Sequence, residues 1–292
     1  MADPEARPHG TESAQSAEEL PPAPEPLPHP VVDNHCHLDI GRDGPARDAA
    51  EAIAEASRVG VPRIVQIGCD LRGARWAVAA ARTHPALVAG VALHPNEAPR
   101  LVADGTFEEA WTEIESLAAD PVVRAVGETG MDAFRTGAEG RAAQIESFAR
   151  HIDLAKRLDK TLVIHDRDTH RDILEVLDAE GVPDRWVMHC FSGDGDFARE
   201  CLARGAYLSF AGTVTFKNAE PQREALRLAP VDRILVETDA PYLTPTPHRG
   251  RTNGSYLIPI TMRRMAAERD ADLGELCAAV EQNTFAAFGG AW

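Results

Sequence analysis

Eight short apolar runs, separated by alanine-rich stretches of helical period, constrain this chain more than any other feature of its sequence. They are VVDNHCHL (31–38), RIVQIGC (63–69), LVAGVALHP (87–95), VVRAVGETG (122–130), LVIHDR (162–167), WVMHCFSG (186–193), AYLSFAG (206–212) and ILVETDAP (234–241). Runs of this length, rich in β-branched residues, predict strands buried on both faces. Helical periodicity predicts helices over 45–59, 71–84, 106–119, 138–159, 170–180, 195–204 and 217–228, with two more near 256–269 and 272–287. Strand alternating with helix implies parallel strands joined by right-handed crossovers. Eight such units close into an α/β fold of (β/α)8 TIM-barrel type, which takes about 250 residues. A doubly wound open sheet would need a glycine-rich phosphate loop after the first strand, and HCHLDIG is not one.

The 292 residues therefore divide into one barrel, residues 31–292, and a tail, residues 1–30. The tail is rich in Pro, Ala and Glu, with PPAPEPLPHP (21–30) as its extreme. It holds few large apolar residues, so it is expected to be a disordered, partly polyproline-II extension. No run of about 18 apolar residues predicts a membrane span, and no basic, then apolar, leader opens the chain. Five cysteines, an odd number without CxxC spacing, argue against a disulfide framework and for reduced thiols in a cytoplasmic protein.

The metal-competent side chains concentrate where strands end. His35 and His37 end the first run, His94 the third, Glu128 the fourth, His165 the fifth, His189 the sixth and Asp239 the eighth. In a TIM barrel that end carries the active site. His35 and His37 are two residues apart, so strand alternation turns both imidazoles to one face. Asp33 shares that face and could orient one of them. A carboxylate ending an apolar strand, as Glu128 does, is costly to bury unpaired and calls for cations nearby; it could bridge two of them. Imidazole-rich sets suit Zn, Mn or Fe better than Mg or Ca. Asp239 is the expected ligand that also accepts a proton from an attacking water. Glu237, on the same strand face, reads equally well as an orienting group or a buried structural acid.

Taken in order, HCHLD (35–39), LHP (93–95), VGETGMD (126–132), IHDRD (164–168), HCFSG (189–193) and ETDAPYL (237–243) resemble the TatD family of metal-dependent DNases. The resemblance implies an amidohydrolase-superfamily barrel with two divalent ions, Zn, Mn or Mg. His35, His37, Glu128 and Asp239 would hold one ion; Glu128, His165 and His189 would hold the other. It also implies substrate contacts from His94, Arg167, Arg249, Arg251 and Asn253, and catalytic roles for Asp239 and Glu128. The implied activity is two-metal cleavage of DNA phosphodiesters, of 3′→5′ exonuclease type, on single strands or 3′ ends. The chain departs from the family pattern at GMDAF, where Ala133 replaces a tyrosine, and at HRGRTNGSY (248–256).

Two rival readings follow from the residues. An amidohydrolase-type deacylase or esterase, a D-aminoacyl-tRNA deacylase for example, would act on a C–N or carboxyl ester bond. Many such barrels bridge their metals with a carboxylated lysine, but here Glu128 ends the fourth strand and Lys160 and Lys217 lie outside strand ends. A metal-binding protein without turnover is the other. The net charge of −16, of which the tail supplies −5, opposes broad contact with a polyanion. An exonuclease touching a few terminal phosphates needs far less basic surface, and weak, salt-sensitive DNA binding is expected.

Overall fold

All eight apolar runs become strands in the computed structural model of the chain, which describes residues 20–42 and 44–292. The elements alternate as β1 (Val32–Cys36), α1 (Ala49–Arg58), β2 (Arg63–Gly68), α2 (Leu71–Thr83), β3 (Leu87–Val91), α3 (Glu97–Ala103), α4 (Phe107–Ala118) and β4 (Val123–Asp132). Then follow α5 (Arg141–Leu158), β5 (Thr161–Arg167), α6 (His170–Glu180), β6 (Trp186–Met188), α7 (Gly195–Ala203), β7 (Tyr207–Phe210) and α8 (Glu220–Leu228). The chain ends with β8 (Ile234–Val236), α9 (Ile258–Glu268) and α10 (Leu273–Ala287). The strands pair in sequence order, every pair parallel. The circle closes where Asp239 N donates to His35 O (2.9 Å) and His37 N to Ala240 O (2.8 Å). The expected TIM barrel is what the sequence builds. No helix among the described residues is long and apolar enough to cross a membrane.

Alternation along the strands sorts the core into two layers. Val32, Val65, Val88, Ala125, Val163, Val187, Tyr207 and Leu235, one from each strand, pack together with Phe288 just past α10. Their neighbours Ile64, Leu162, Ile164, Ile234 and Val236 join the layer beneath the helices. The inner phase carries forward by twos from Val163 to His165, from Val187 to His189 and from Leu235 to Asp239. On β1 and β4 the inner residues Val32 and Ala125 stand an odd number of positions before His35 and Glu128. In both strands the pairing register slips in between, across Asp33/Cys36 and across Val126/Thr129. An irregularity of that kind re-aims the side chains that follow it, and it brings all the site residues to one mouth.

Two expectations are revised. Helix α3 lies in NEAPRLVA, outside the predicted helices; its Pro99 sits in the first turn, where no backbone donor is needed. The predicted tail gives way for residues 20–30, which lie along the barrel; residues 1–19 are outside the described part of the chain. Leu27 is buried, with its N–H on Val59 O (3.0 Å), and Val31 N donates to Gly60 O (3.0 Å). Carbonyls of the proline-rich stretch accept from Tyr256 Oη (Pro21, 2.9 Å) and Arg263 (Glu25, 2.9 Å; Pro26, 3.0 Å). His29 pairs with Glu281 at 3.0 Å.

His151 on α5 is fully buried; its Nδ1 reaches Ser147 O (2.7 Å) and its Nε2 accepts from Leu93 N (3.1 Å). Burial pushes this imidazole down to about 4, from an ordinary 6.5. A group kept neutral by folding contributes stability above its unfolded pKa and loses it as pH falls towards the folded value. His151→Gln should therefore be less stable than the parent at neutral pH, with the gap closing by roughly 3 kcal/mol between pH 6.5 and 4. Denaturant titrations at several pH values measure this, and a gap constant with pH would refute it.

Candidate metal centre

Glu128 stands at the middle of the mouth, buried, and its two oxygens face different neighbours. Oε2 lies 3.4 Å from His35 Nε2 and 4.0 Å from His37 Nε2. Oε1 lies 2.5 Å from His165 Nδ1, 3.3 Å from His189 Nε2 and 3.7 Å from His94 Nε2. Asp239 closes the first group, with Oδ1 at 3.3 Å from His37 Nε2 and 3.8 Å from His35 Nε2. Three sets (His35–His37–Glu128, His35–His189–Asp239 and His94–Glu128–His165) each bring their donor atoms within 4.8 Å of one another. All six expected metal ligands thus converge.

The chemistry of these donors fits divalent cations. His35 is fully buried, yet neither of its ring nitrogens has a hydrogen-bond partner, and the Nε2 of His165 likewise lacks one. Buried polar atoms are rarely left unpaired unless something else satisfies them. His37 Nδ1 donates to Ile67 O (3.0 Å), which leaves its Nε2 lone pair aimed at the carboxylates. Burial alone would push Glu128 up, but the charges of His189 and His165 outweigh it and hold the carboxyl well below the usual range. For His165 burial opposes protonation, and Glu128 with Asp132 overcomes it, pushing the ring up to about 9.

His94 differs. Its Nδ1 accepts from Asn96 N (3.1 Å), so in the neutral ring Nε2 carries the proton and can only donate. Burial pushes it down to about 4, which keeps it neutral. His94 stands as a hydrogen-bond donor beside the cluster.

A model of the family described as TatD related DNase matches residues 32–289. The chain belongs to the TatD family of metal-dependent hydrolases. An uncharacterized metal-dependent hydrolase TatD of Mycobacterium tuberculosis is 44% identical over 266 residues, covering 90% of this chain and 99% of that protein. A protein of Escherichia fergusonii named 3′-5′ ssDNA/RNA exonuclease TatD is 32% identical, over 84% of this chain and 94% of its own length. Among solved structures, the TatD homolog YjjV of Escherichia coli superposes with a TM-score of 0.81 at 25% identity, covering 89% of this chain and 98% of that one.

Within this TatD barrel the supporting acids sort themselves. Glu237 is fully buried, with Oε1 at 2.9 Å from His189 Nδ1 and accepting from Cys190 N (3.0 Å), while Ser209 Oγ donates to Oε2 (2.5 Å). The contact to His189 misses hydrogen-bond geometry but keeps an ion-pair distance. Glu237 thus stands directly behind His189, where an orienting acid would sit. Asp33 does not: it accepts from Thr238 N and Oγ1, Ser255 Oγ and the backbone N of His35, so it ties β1 to the segment after β8. Asn253 is corrected too. It is buried, and its amide is committed to Thr238 O (3.0 Å) and Tyr242 O (2.6 Å), which leaves it holding the loop after β8 and no donor for substrate. Arg167 and Arg249 lie exposed at the rim, each guanidinium over an aromatic ring, Phe134 at 3.9 Å and Phe216 at 4.0 Å. Arg251 lies nearby, its carbonyl accepting from Thr244 Oγ1 and Arg42.

Two residues escaped the sequence reading. Cys69, just past β2, places Sγ 3.5 Å from Glu128 Oε2 and 3.8 Å from His37 Nδ1. Asp132 accepts from the N–H groups of Phe134 (2.9 Å) and Arg135 (2.7 Å) and lies 3.4 Å from His165 Nε2. The strand-end rule that picks out the histidines would have found both.

Removing an acid that orients a ligand typically weakens metal binding about 10- to 100-fold. Glu237→Gln should show a loss of that size in competition titrations with Zn or Mn, with its far-ultraviolet spectrum unchanged. Undiminished affinity would reduce Glu237 to a structural acid.

Proposed function

We propose that the chain hydrolyses phosphodiester bonds of single-stranded DNA, trimming 3′ ends, with His35, His37, Glu128, His165, His189 and Asp239 holding two divalent ions, Zn, Mn or Mg. The observation that carries this reading is the two-sided environment of Glu128, whose oxygens each face their own imidazoles across one buried carboxylate. A pair of cations in such a site polarises a phosphate ester, activates water near neutral pH and stabilises the leaving oxygen. Around that chemistry the chain supplies the rest. Asp239, held ionised by His37 and His189 against the effect of burial, accepts the proton of the attacking water. The Nε2–H of His94 donates to a non-bridging phosphate oxygen. Arg167, Arg249 and Arg251 line the approach with positive charge in an otherwise acidic protein.

Space for a substrate lies alongside. A cavity of about 400 Å³ opens next to His37, lined by Leu38, Ile40, Arg42, Arg47 and Tyr256 among others. The exonuclease named in Escherichia fergusonii lends weight to single-stranded nucleic acid over a small metabolite. The five cysteines are free thiols, in keeping with a cytoplasmic location.

The test is an end-labelled oligodeoxynucleotide, incubated with protein of measured metal content. Stepwise shortening from the 3′ end is expected, abolished by chelation and restored by Zn or Mn. Glu128→Ala should lose both bound metal and cleavage. Asp239→Asn should lower kcat by roughly 10²–10⁴. Cleavage that survives loss of the metal would remove the mechanism, and turnover confined to amide or carboxyl ester substrates would transfer the protein to the deacylase reading.

A further inference from the structure

Two aromatic rings stand exposed at the rim of the mouth. Four large apolar side chains stand out as exposed among the described residues: Val102, Phe134, Val231 and Tyr242. The two aromatic ones both lie beyond C-terminal strand ends, Phe134 after β4 and Tyr242 after β8. Phe134 is 65% exposed although Arg167 already covers part of it, with Cζ 3.9 Å from the ring centre. Most exposed arginines here, such as Arg75, Arg141 and Arg171, are locked to carboxylates. Arg167 has no carboxylate partner among the described residues, and its ring contact is the interaction that orders it. Arg249 on Phe216 repeats the arrangement past β7 and β8, three strands round the barrel.

Position ties the first pair to the cluster. Arg167 lies opposite Asp132 in the β4–β5 register and two residues beyond His165. Asp132 in turn holds the backbone N–H of Phe134. Two residues of strand advance about 7 Å, so the ring stands one short step from the second group of metal ligands. A guanidinium lying flat on an aromatic ring keeps its N–H edge free for a phosphate while the stack extends the flat surface.

Building on the nuclease reading, we infer that Phe134, backed by Arg167, is a stacking platform for the nucleobase next to the phosphate being cut. The chemistry suits this chain. A net charge of −16 deprives it of the broad electrostatic attraction that nucleic-acid proteins ordinarily use. Stacking on a ring needs no charge and accepts any base.

The experiment compares two oligothymidylates of equal length, one intact and one with abasic sugars at its last two 3′ positions, cut by the parent, Phe134→Ala and Phe134→Trp. Stacking is worth about 1–3 kcal/mol per base, so Phe134→Ala should raise KM for the intact strand by roughly 5- to 150-fold at nearly constant kcat. It should leave the abasic strand unchanged, and Phe134→Trp should restore the intact one. An equal loss on both strands, or none on either, overturns the platform while cleavage by the parent keeps the nuclease reading. A parent that cuts neither strand with Zn or Mn supplied overturns both. Because Phe134 is exposed, its replacement leaves no cavity, and an unchanged Tm verifies that each variant is folded.

Discussion

A buried carboxylate between two sets of imidazoles is an expensive object, and the molecule is organised around keeping one. Glu128 sits in the water-poor mouth of a barrel whose walls are valine, isoleucine and leucine. Left alone there it would take up a proton. Its oxygens are instead surrounded by nitrogen on both sides, and every strand but β7 sends a side chain to it or to one of its neighbours. Remove the carboxylate and five imidazoles lose the charge they share; remove the imidazoles and the acid loses its reason to be ionised.

The other buried acids make that arrangement rigid. Asp33 ties β1 to the segment after β8 where the barrel closes, Glu237 stands against His189 and is fixed by Ser209, which Asn34 holds in turn, and Asp132 gathers the turn after β4 beneath His165. Each accepts several hydrogen bonds from groups fixed by the fold, so the donor set is positioned before any ligand arrives. Preorganisation of this kind is what a hydrolytic centre needs, because reorganising polar groups during the reaction would add to the barrier.

Much of this was legible in the amino-acid sequence, for a physical reason. A buried histidine or acid at the end of an apolar strand is rare unless something uses it, so His35, His165, His189 and Glu128 stand out against their neighbours. The direction of bonds within the site is not written there. Nothing in DNHCH says that Asp33 reaches across to Thr238 instead of to an imidazole, because that depends on which strand closes the circle. Asn253, a substrate contact by the family resemblance alone, turns out to hold two carbonyls with its amide. Helix α3, of 7 residues, is too short to show a helical period, and Cys69 has no partner cysteine to give it meaning.

Residues 20–30 show how composition can mislead about order. Their prolines lack amide hydrogens and have little torsional freedom, which from the sequence reads as a strand that cannot fold. Laid against the barrel, the same properties favour docking: the free carbonyls take donors from Tyr256 and Arg263, and a chain that is already stiff loses little entropy on being immobilised. Tyr256 also lines the cavity beside His37, so this leading segment braces one wall of the chamber from behind.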